Sequence, residues 1–424
     1  MTDFTADIYQ NEYLPVDGSE VNAVITVTCS SSGAPAPLPE AAEIVIVDTS
    51  GSMSVPRAKI KAARDATSVA IDCIRDGVAF GIIAGTHQAQ LVYPESETLV
   101  PASTSTRDAA KEAVRRLDAD GGTAIGSWLT LARWLFGSKG DRTCHAILLT
   151  DGANEHETAQ ELDGALALCE GRFQCDCRGV GTDWVVSELR RVASKLLGTV
   201  DIIADPADMA ADFRSLMEGA MSKTTGNVSL RLWTPQGADV AFLRQVAPTI
   251  EELTDRGVEV SALTADYPTG TWGRESRDYH LCVKVAPRGQ GDEMLAARVS
   301  LVAGDEVLSQ GLVKAIWTDD QQLSTRINRE VAHYTGQAEL AVCIQDGLEA
   351  RKAGDQATAQ VKLGRAVQLA TESGNDGTLK LLEGVVQVDD AATGTVRLRR
   401  EVADADEMAL DTRSTKTIRA EPPA

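Results

Sequence analysis

Residues 44–52 read Ile-Val-Ile-Val-Asp-Thr-Ser-Gly-Ser. Four consecutive apolar residues end abruptly at Asp48, with Ser50 and Ser52 spaced two residues apart beyond it. An apolar run of this kind fits a strand buried on both faces of a parallel sheet. Such a strand delivers the Asp48 carboxylate to the C-terminal edge of the sheet, where open α/β folds bind their ligands. Gly51 lets the backbone turn tightly enough to gather one carboxylate and two hydroxyls. Oxygen-only donors suit a hard divalent cation such as Mg²⁺. Taken alone, the stretch reads equally well as an Asx-turn leading into a helix N-cap.

Two further stretches favour the metal. Residues 120–126, Asp-Gly-Gly-Thr-Ala-Ile-Gly, offer the Thr123 hydroxyl on a flexible loop ahead of an apolar helix. Residues 145–152 form a second apolar run, which ends in Thr150 and Asp151. The order Asp-x-Ser-x-Ser, then Thr, then Asp resembles the metal-ion-dependent adhesion site of the von Willebrand factor A family. Every ligand position of that pattern is filled here, by Asp48, Ser50, Ser52, Thr123 and Asp151. The resemblance implies a doubly wound, mainly parallel, Rossmann-like sheet. It also implies Mg²⁺, or Mn²⁺ or Ca²⁺, completed by an Asp or Glu of a partner protein. It describes a binding module and not an enzyme.

Composition narrows the surroundings. The chain has 424 residues, enough for two or three domains. Its net charge of −21 disfavours nucleic acid and anionic lipid as partners. There is no apolar stretch of membrane-spanning length, and the N-terminus lacks the pattern of a signal peptide. The eight cysteines are scattered. Cys175 and Cys177 are the one close pair, and they read as packed thiols ahead of a redox or zinc site. A reducing cytoplasm is the expected location.

Along the chain, residues 1–30 read as strands that join a later β-sandwich, and residues 31–40 as a linker. Residues 41–222 alternate strand and helix, which implies a mainly parallel sheet with helices on both faces, and the resemblance makes this stretch the von Willebrand A domain. Residues 226–318 alternate in the manner of an antiparallel sandwich. Residues 320–384 form a helical hairpin, with one unbroken helix expected over 321–350 and Ile327 on its apolar stripe. Residues 385–403 fit a last strand, and residues 404–424 a disordered polar tail.

Two other functions compete. A strand-end Asp followed by Thr-Ser also resembles the haloacid-dehalogenase phosphatases, whose Asp is a nucleophile. Those enzymes need a second Asp two residues on as general acid, and Ser50 occupies that place. The tail supplies the other alternative. Thr412, Thr415 and Thr417 stand in a polar segment open to a Ser/Thr kinase, and Ile418 lies three residues after Thr415. That spacing resembles a ligand of a forkhead-associated domain, which would make the chain a phosphorylation-pathway adaptor. His156, beside Glu155 and Glu157, reads as part of a solvated helix start, with a role at the rim of the metal face as the sharper possibility.

Overall fold

The computed structural model describes residues 2–31, 40–137 and 142–420. They form two units, residues 37–226 and the remainder of the chain. Residues 32–39 of the expected linker lie outside the described residues.

The unit spanning 37–226 is built on one mixed sheet. Its order is Val200–Ile203, Gln174–Val180, Thr143–Thr150, Ala41–Asp48, Ala79–Gly85 and Ala89–Tyr93, with Val100–Pro101 pairing Ala79–Gly85. The first five strands run parallel, and the Ala89–Tyr93 edge is antiparallel, as its close link to the preceding strand implies. The first strand lies between the second and the third parallel strand. The winding therefore reverses between Ala41–Asp48 and Thr143–Thr150. This reversal is the topological switch point of a doubly wound sheet, and Asp48 and Thr150 end the two strands that flank it.

Burial on both faces follows from the apolar runs. Val45 and Val47 pack with Ile60, Ala63, Ala70, Val114, Phe213 and Met217, from helices Ala58–Cys73, Thr104–Arg115 and Met209–Met221. Ile44 and Ile46 alternate to the opposite face and are equally buried. On helix Ile125–Phe136, Trp128, Leu129 and Ala132 are fully buried. A Cβ at Gly85 would lie 2.4 Å from the Trp128 ring, so strand Ala79–Gly85 needs glycine at its end.

One polar ladder crosses this apolar sheet. Glu43, 1% exposed, faces His145 across paired strands, and the His145 ring also reaches Asp176 on the next strand. The ring nitrogens lie 2.9 Å from Glu43 Oε1 and 3.0 Å from Asp176 Oδ2. Burial works against the imidazolium, but the Glu43 charge and hydrogen bonds to both carboxylates outweigh it and raise the His145 pKa to about 10. The three groups form a carboxylate–imidazolium–carboxylate row in which Glu43 is buried and His145 and Asp176 are part-buried.

The second unit contains two antiparallel-dominated sheets. One has the order Thr2–Gln10, Glu20–Ser31, Ser276–Lys284, Asp239–Ala247, Glu251–Glu252. The other runs Val258–Ser261, Thr264–Trp272, Thr225–Trp233, Glu293–Ala303, Glu306–Trp317, Tyr13–Leu14. They meet where the Phe4 ring packs edge-on against Trp272 and where Ile8 approaches Gly311. The N-terminal strands thus complete sheets whose other members lie more than 200 residues later.

The C-terminal region departs from expectation in three ways. The single helix over 321–350 is broken into Gln321–Ser324 and Arg329–Lys352, because Asn328 caps the second by accepting from Glu330 N and Val331 N. Ile327 is accordingly exposed and not on a buried stripe. Residues 385–403 hold a two-stranded hairpin, Val386–Asp390 with Thr395–Leu398, in place of one strand. The disordered tail expected over 404–424 is corrected most strongly. Residues 404–413 form helix Asp404–Arg413, with Leu410 and Thr412 buried. Residues beyond it bind along the strand ending at Ala247. Ile250 N donates to Thr415 O, Thr417 Oγ1 donates to Val246 O, and Arg419 makes a paired contact with buried Asp278. Asp278 also accepts from Thr26 Oγ1 and Tyr334 OH. The segment carrying Thr412, Thr415 and Thr417 is therefore tied down, and the premise of an open kinase-accessible tail fails. Residues 421–424 lie outside the described residues.

The ladder generates a pH-dependent expectation. A His145→Leu variant leaves buried Glu43 and part-buried Asp176 without the cation between them and should lose about 3 kcal/mol at neutral pH. In the native chain the folded pKa of His145 is raised. Its contribution is therefore full below about pH 6.5 and falls steadily as pH rises toward about 10. Denaturant unfolding of both chains from pH 6 to 10 should show their stabilities converging. A constant gap across that range contradicts the charged ladder.

Candidate metal site

The five expected ligands converge at the switch point. Asp48 is fully buried at its strand end. Its Oδ1 accepts from Ser50 N at 2.7 Å, and its Oδ2 accepts from Thr150 Oγ1 on the neighbouring strand. That second bond ties together the two strand ends that flank the reversal. Ser50 Oγ and Ser52 Oγ lie 2.9 Å apart, and Ser52 Oγ donates to Asp151 Oδ1 at 2.6 Å. A hydroxyl carries two lone pairs, so Ser52 can donate to Asp151 and still present an acceptor.

Thr123 arrives from a separate loop, which is clasped to the first. Gly51 N donates to Gly121 O at 2.9 Å, and Asp120 N donates to Thr49 O at 2.8 Å. Gly121 has φ +86°, a left-handed conformation that favours glycine. Thr123 N donates to His156 Nδ1 at 3.2 Å, while His156 N donates to Thr123 O at 2.9 Å. His156 therefore holds the Thr123 loop through both its ring and its backbone, and is more than part of a solvated helix start. The next helix, Ile125–Phe136, begins at Ala124, which cannot cap it. Its first N–H groups, which have no acceptor within the helix, are capped from elsewhere. Ile125 N donates to Asn154 Oδ1 at 2.8 Å, and Gly126 N donates to Glu157 Oε1 at 2.6 Å.

The donor set fits a hard cation. A Cβ on Gly152 would lie 3.3 Å from Ser52 Oγ and 3.5 Å from Thr123 Oγ1, so both hydroxyls close over the same point. Thr123 is 5% exposed, so its hydroxyl is held at the edge of the packed loop beside that of Ser52. Burial pushes the Asp48 carboxyl up to about 6, against hydrogen bonds from Ser50 and Thr150 and with Asp151 adding to the rise. A cation held between the two carboxylates would reverse that penalty. Among the described residues no group of three or more His, Cys, Asp or Glu side chains converges as a metal cluster. The convergence here is of three hydroxyls and two carboxylates, and Cys175 and Cys177 are buried free thiols.

Sequence reasoning missed Lys59. Its Nζ lies 2.7 Å from Asp151 Oδ2 and 3.3 Å from the exposed Asp183 carboxylate, and its side chain is 8% exposed. Burial disfavours the ammonium, yet hydrogen bonds and charge from Asp151 and Asp183 raise its pKa overall. A lysine in the first turn of a helix is the available signal, since that end of the helix dipole repels cations.

The comparisons with known proteins agree with this architecture. Residues 42–202 match the family model of the von Willebrand factor type A domain, and residues 368–414 that of the von Willebrand factor type A C-terminal domain. A solved von Willebrand factor type A protein from Catenulispora acidiphila is 49% identical, with a TM-score of 0.94, covering 99% of this chain and 98% of that one. The chain belongs to the von Willebrand factor type A family. The ArnB paralog VWA2 from Sulfolobus acidocaldarius shares the fold at 15% identity and a TM-score of 0.62, covering 98% of this chain and all of that one. An uncharacterised protein of Synechocystis is 28% identical over 217 residues, 51% of this chain, and the chain spans about half of that curated relative's length. The C-terminal match ends at residue 414 and so takes in helix Asp404–Arg413, the first part of the segment expected to be disordered. Domains of the von Willebrand A family commonly bind protein partners and commonly carry a divalent metal, and this domain presents the corresponding edge of its sheet.

Asn154 offers a direct test of how the Thr123 loop is held. It accepts from Ile125 N, and its Nδ2 donates to Glu157 Oε1 at 2.6 Å. An Asn154→Ala chain should lose about 1–3 kcal/mol in denaturant unfolding, because a buried N–H is left without an acceptor. A loss below about 0.5 kcal/mol contradicts this role.

Proposed function

We propose that the carboxyl edge of the sheet in the von Willebrand A domain is a divalent-cation-dependent protein-binding face. The observation that carries the reading is the meeting of the Ser52 and Thr123 hydroxyls over Gly152, beside the buried carboxylates of Asp48 and Asp151. Ser50, Ser52 and Thr123 would be neutral ligands of Mg²⁺, or of Mn²⁺ or Ca²⁺, and Asp48 and Asp151 would supply charge directly or through water. When bound, the metal offers an electrophilic position to an Asp or Glu of a partner protein. The rest of the chain then acts as a scaffold or regulator.

Binding is favoured over phosphoryl transfer by the chemistry at residue 50. A phosphatase acting through Asp48 requires a proton donor there, and the Ser50 hydroxyl is instead set against Ser52 Oγ. The eight free thiols fit a reducing compartment such as the cytoplasm. Among the described residues no helix is long and apolar enough to cross a membrane.

The test is calorimetric titration with Mg²⁺ of the native chain, Asp48→Ala and Thr123→Val. Both variants should lose measurable Mg²⁺ binding while keeping the native circular dichroism spectrum. Capture of a protein partner by the native chain should disappear with chelator. Equal Mg²⁺ affinity in all three chains contradicts the assignment, and so does hydrolysis of a phosphate ester that vanishes in Asp48→Asn.

A further inference from the structure

We propose that Lys59 is a positioning residue that supplies a built-in counter-charge to the metal face, weakening the hold on the cation while strengthening the demand for an outside carboxylate. The inference rests on the metal reading above and says which feature of this chain tunes it.

Both oxygens of Asp151 are engaged by the protein itself. Oδ1 accepts from Ser52 Oγ at 2.6 Å, and Oδ2 faces Lys59 Nζ at 2.7 Å. A cation approaching Asp151 therefore shares an oxygen with one of these donors or meets the carboxylate through water. Lys59 is held where an ammonium is otherwise unfavourable. Its side chain is 8% exposed, and it is the second residue of helix Ala58–Cys73, at the positive end of the dipole. Asp183 is 72% exposed and strongly screened by solvent, so Asp151 is the partner that holds the ammonium in place.

The charge count gives the consequence. Asp48, Asp151 and Lys59 sum to −1. A divalent ion makes the set +1, and a partner carboxylate restores neutrality. Without Lys59 the two carboxylates alone would neutralise the ion, leaving little pull on a further carboxylate. The ammonium thus shifts binding free energy from the metal step to the partner step. It also pins Asp151 in one orientation, leaving the remaining lone pairs of the three hydroxyls as the neutral ligands.

The two steps must then respond oppositely to one substitution, which a merely structural lysine would not produce. The full chain and its Lys59→Met and Lys59→Arg variants are titrated with Mg²⁺ in chloride, then in acetate at matched ionic strength, with acetate as the carboxylate probe. Lys59→Met should bind Mg²⁺ more tightly, on the order of tenfold or more, and its melting temperature should rise further on adding Mg²⁺. The gain in Mg²⁺ affinity that acetate gives the native chain should shrink in Lys59→Met and persist in Lys59→Arg. If Lys59→Met does not fold, Lys59→Gln, which keeps a hydrogen-bond donor, carries the same expectations. Equal or weaker Mg²⁺ binding by the neutral variant overturns the role of Lys59 while the metal site stands. Failure of the native chain to bind Mg²⁺ at all removes the metal reading and this inference with it.

Discussion

The hydrogen bond from Thr150 to Asp48 joins two parallel strand ends at the place where the sheet reverses its winding. Everything at the candidate site is arranged around that junction. A carboxylate buried completely at a strand end is unfavourable unless its oxygens are satisfied. Asp48 meets that condition through Ser50 N and Thr150, and the chain beyond it is thereby forced to turn back over the sheet edge. The turn presents Ser50 and Ser52. Asp151, next to Thr150, comes to the same edge because the two strands run in register from Ala41 and Thr143 onward. The ligand set is a consequence of that pairing.

Much of this was legible because the governing patterns are local. An apolar run stopping at an acidic residue reveals both a buried strand and the direction its end faces. Strand–helix alternation then yields the doubly wound sheet. The Thr123 loop is legible through its glycines, since Gly121 needs the left-handed conformation it adopts. The contacts holding that loop were hidden. Asn154, Glu157 and His156 lie about 30 residues further on, and no periodicity links them to a helix that begins at Ala124.

The failures share a cause. Residues 404–420 are polar, and low apolar content ordinarily means that a segment cannot offset the entropy of ordering. Here the ordering comes from a few specific contacts, chiefly Arg419 with Asp278 and Thr417 with Val246, and from Leu410 packing into the helical core. Such partners lie 141 and 171 residues away and leave no trace in local composition. Lys59 was missed for a related reason. Lysine in an amphipathic helix is ordinarily read as solvated, and only its place in the first turn hinted at a buried carboxylate opposite.

In the proposed site, Ser50, Ser52 and Thr123 would form the floor on which a hard cation rests between Asp48 and Asp151. Crystals of the native chain grown with Mn²⁺ test it directly, because manganese is located by its anomalous scattering whatever the partner. One strong anomalous peak is expected over Gly152, at about 2.2 Å from the three hydroxyl oxygens, with Lys59 still on Asp151. A map with no peak there, or with manganese held by other side chains while the three hydroxyls keep their present hydrogen bonds, contradicts it.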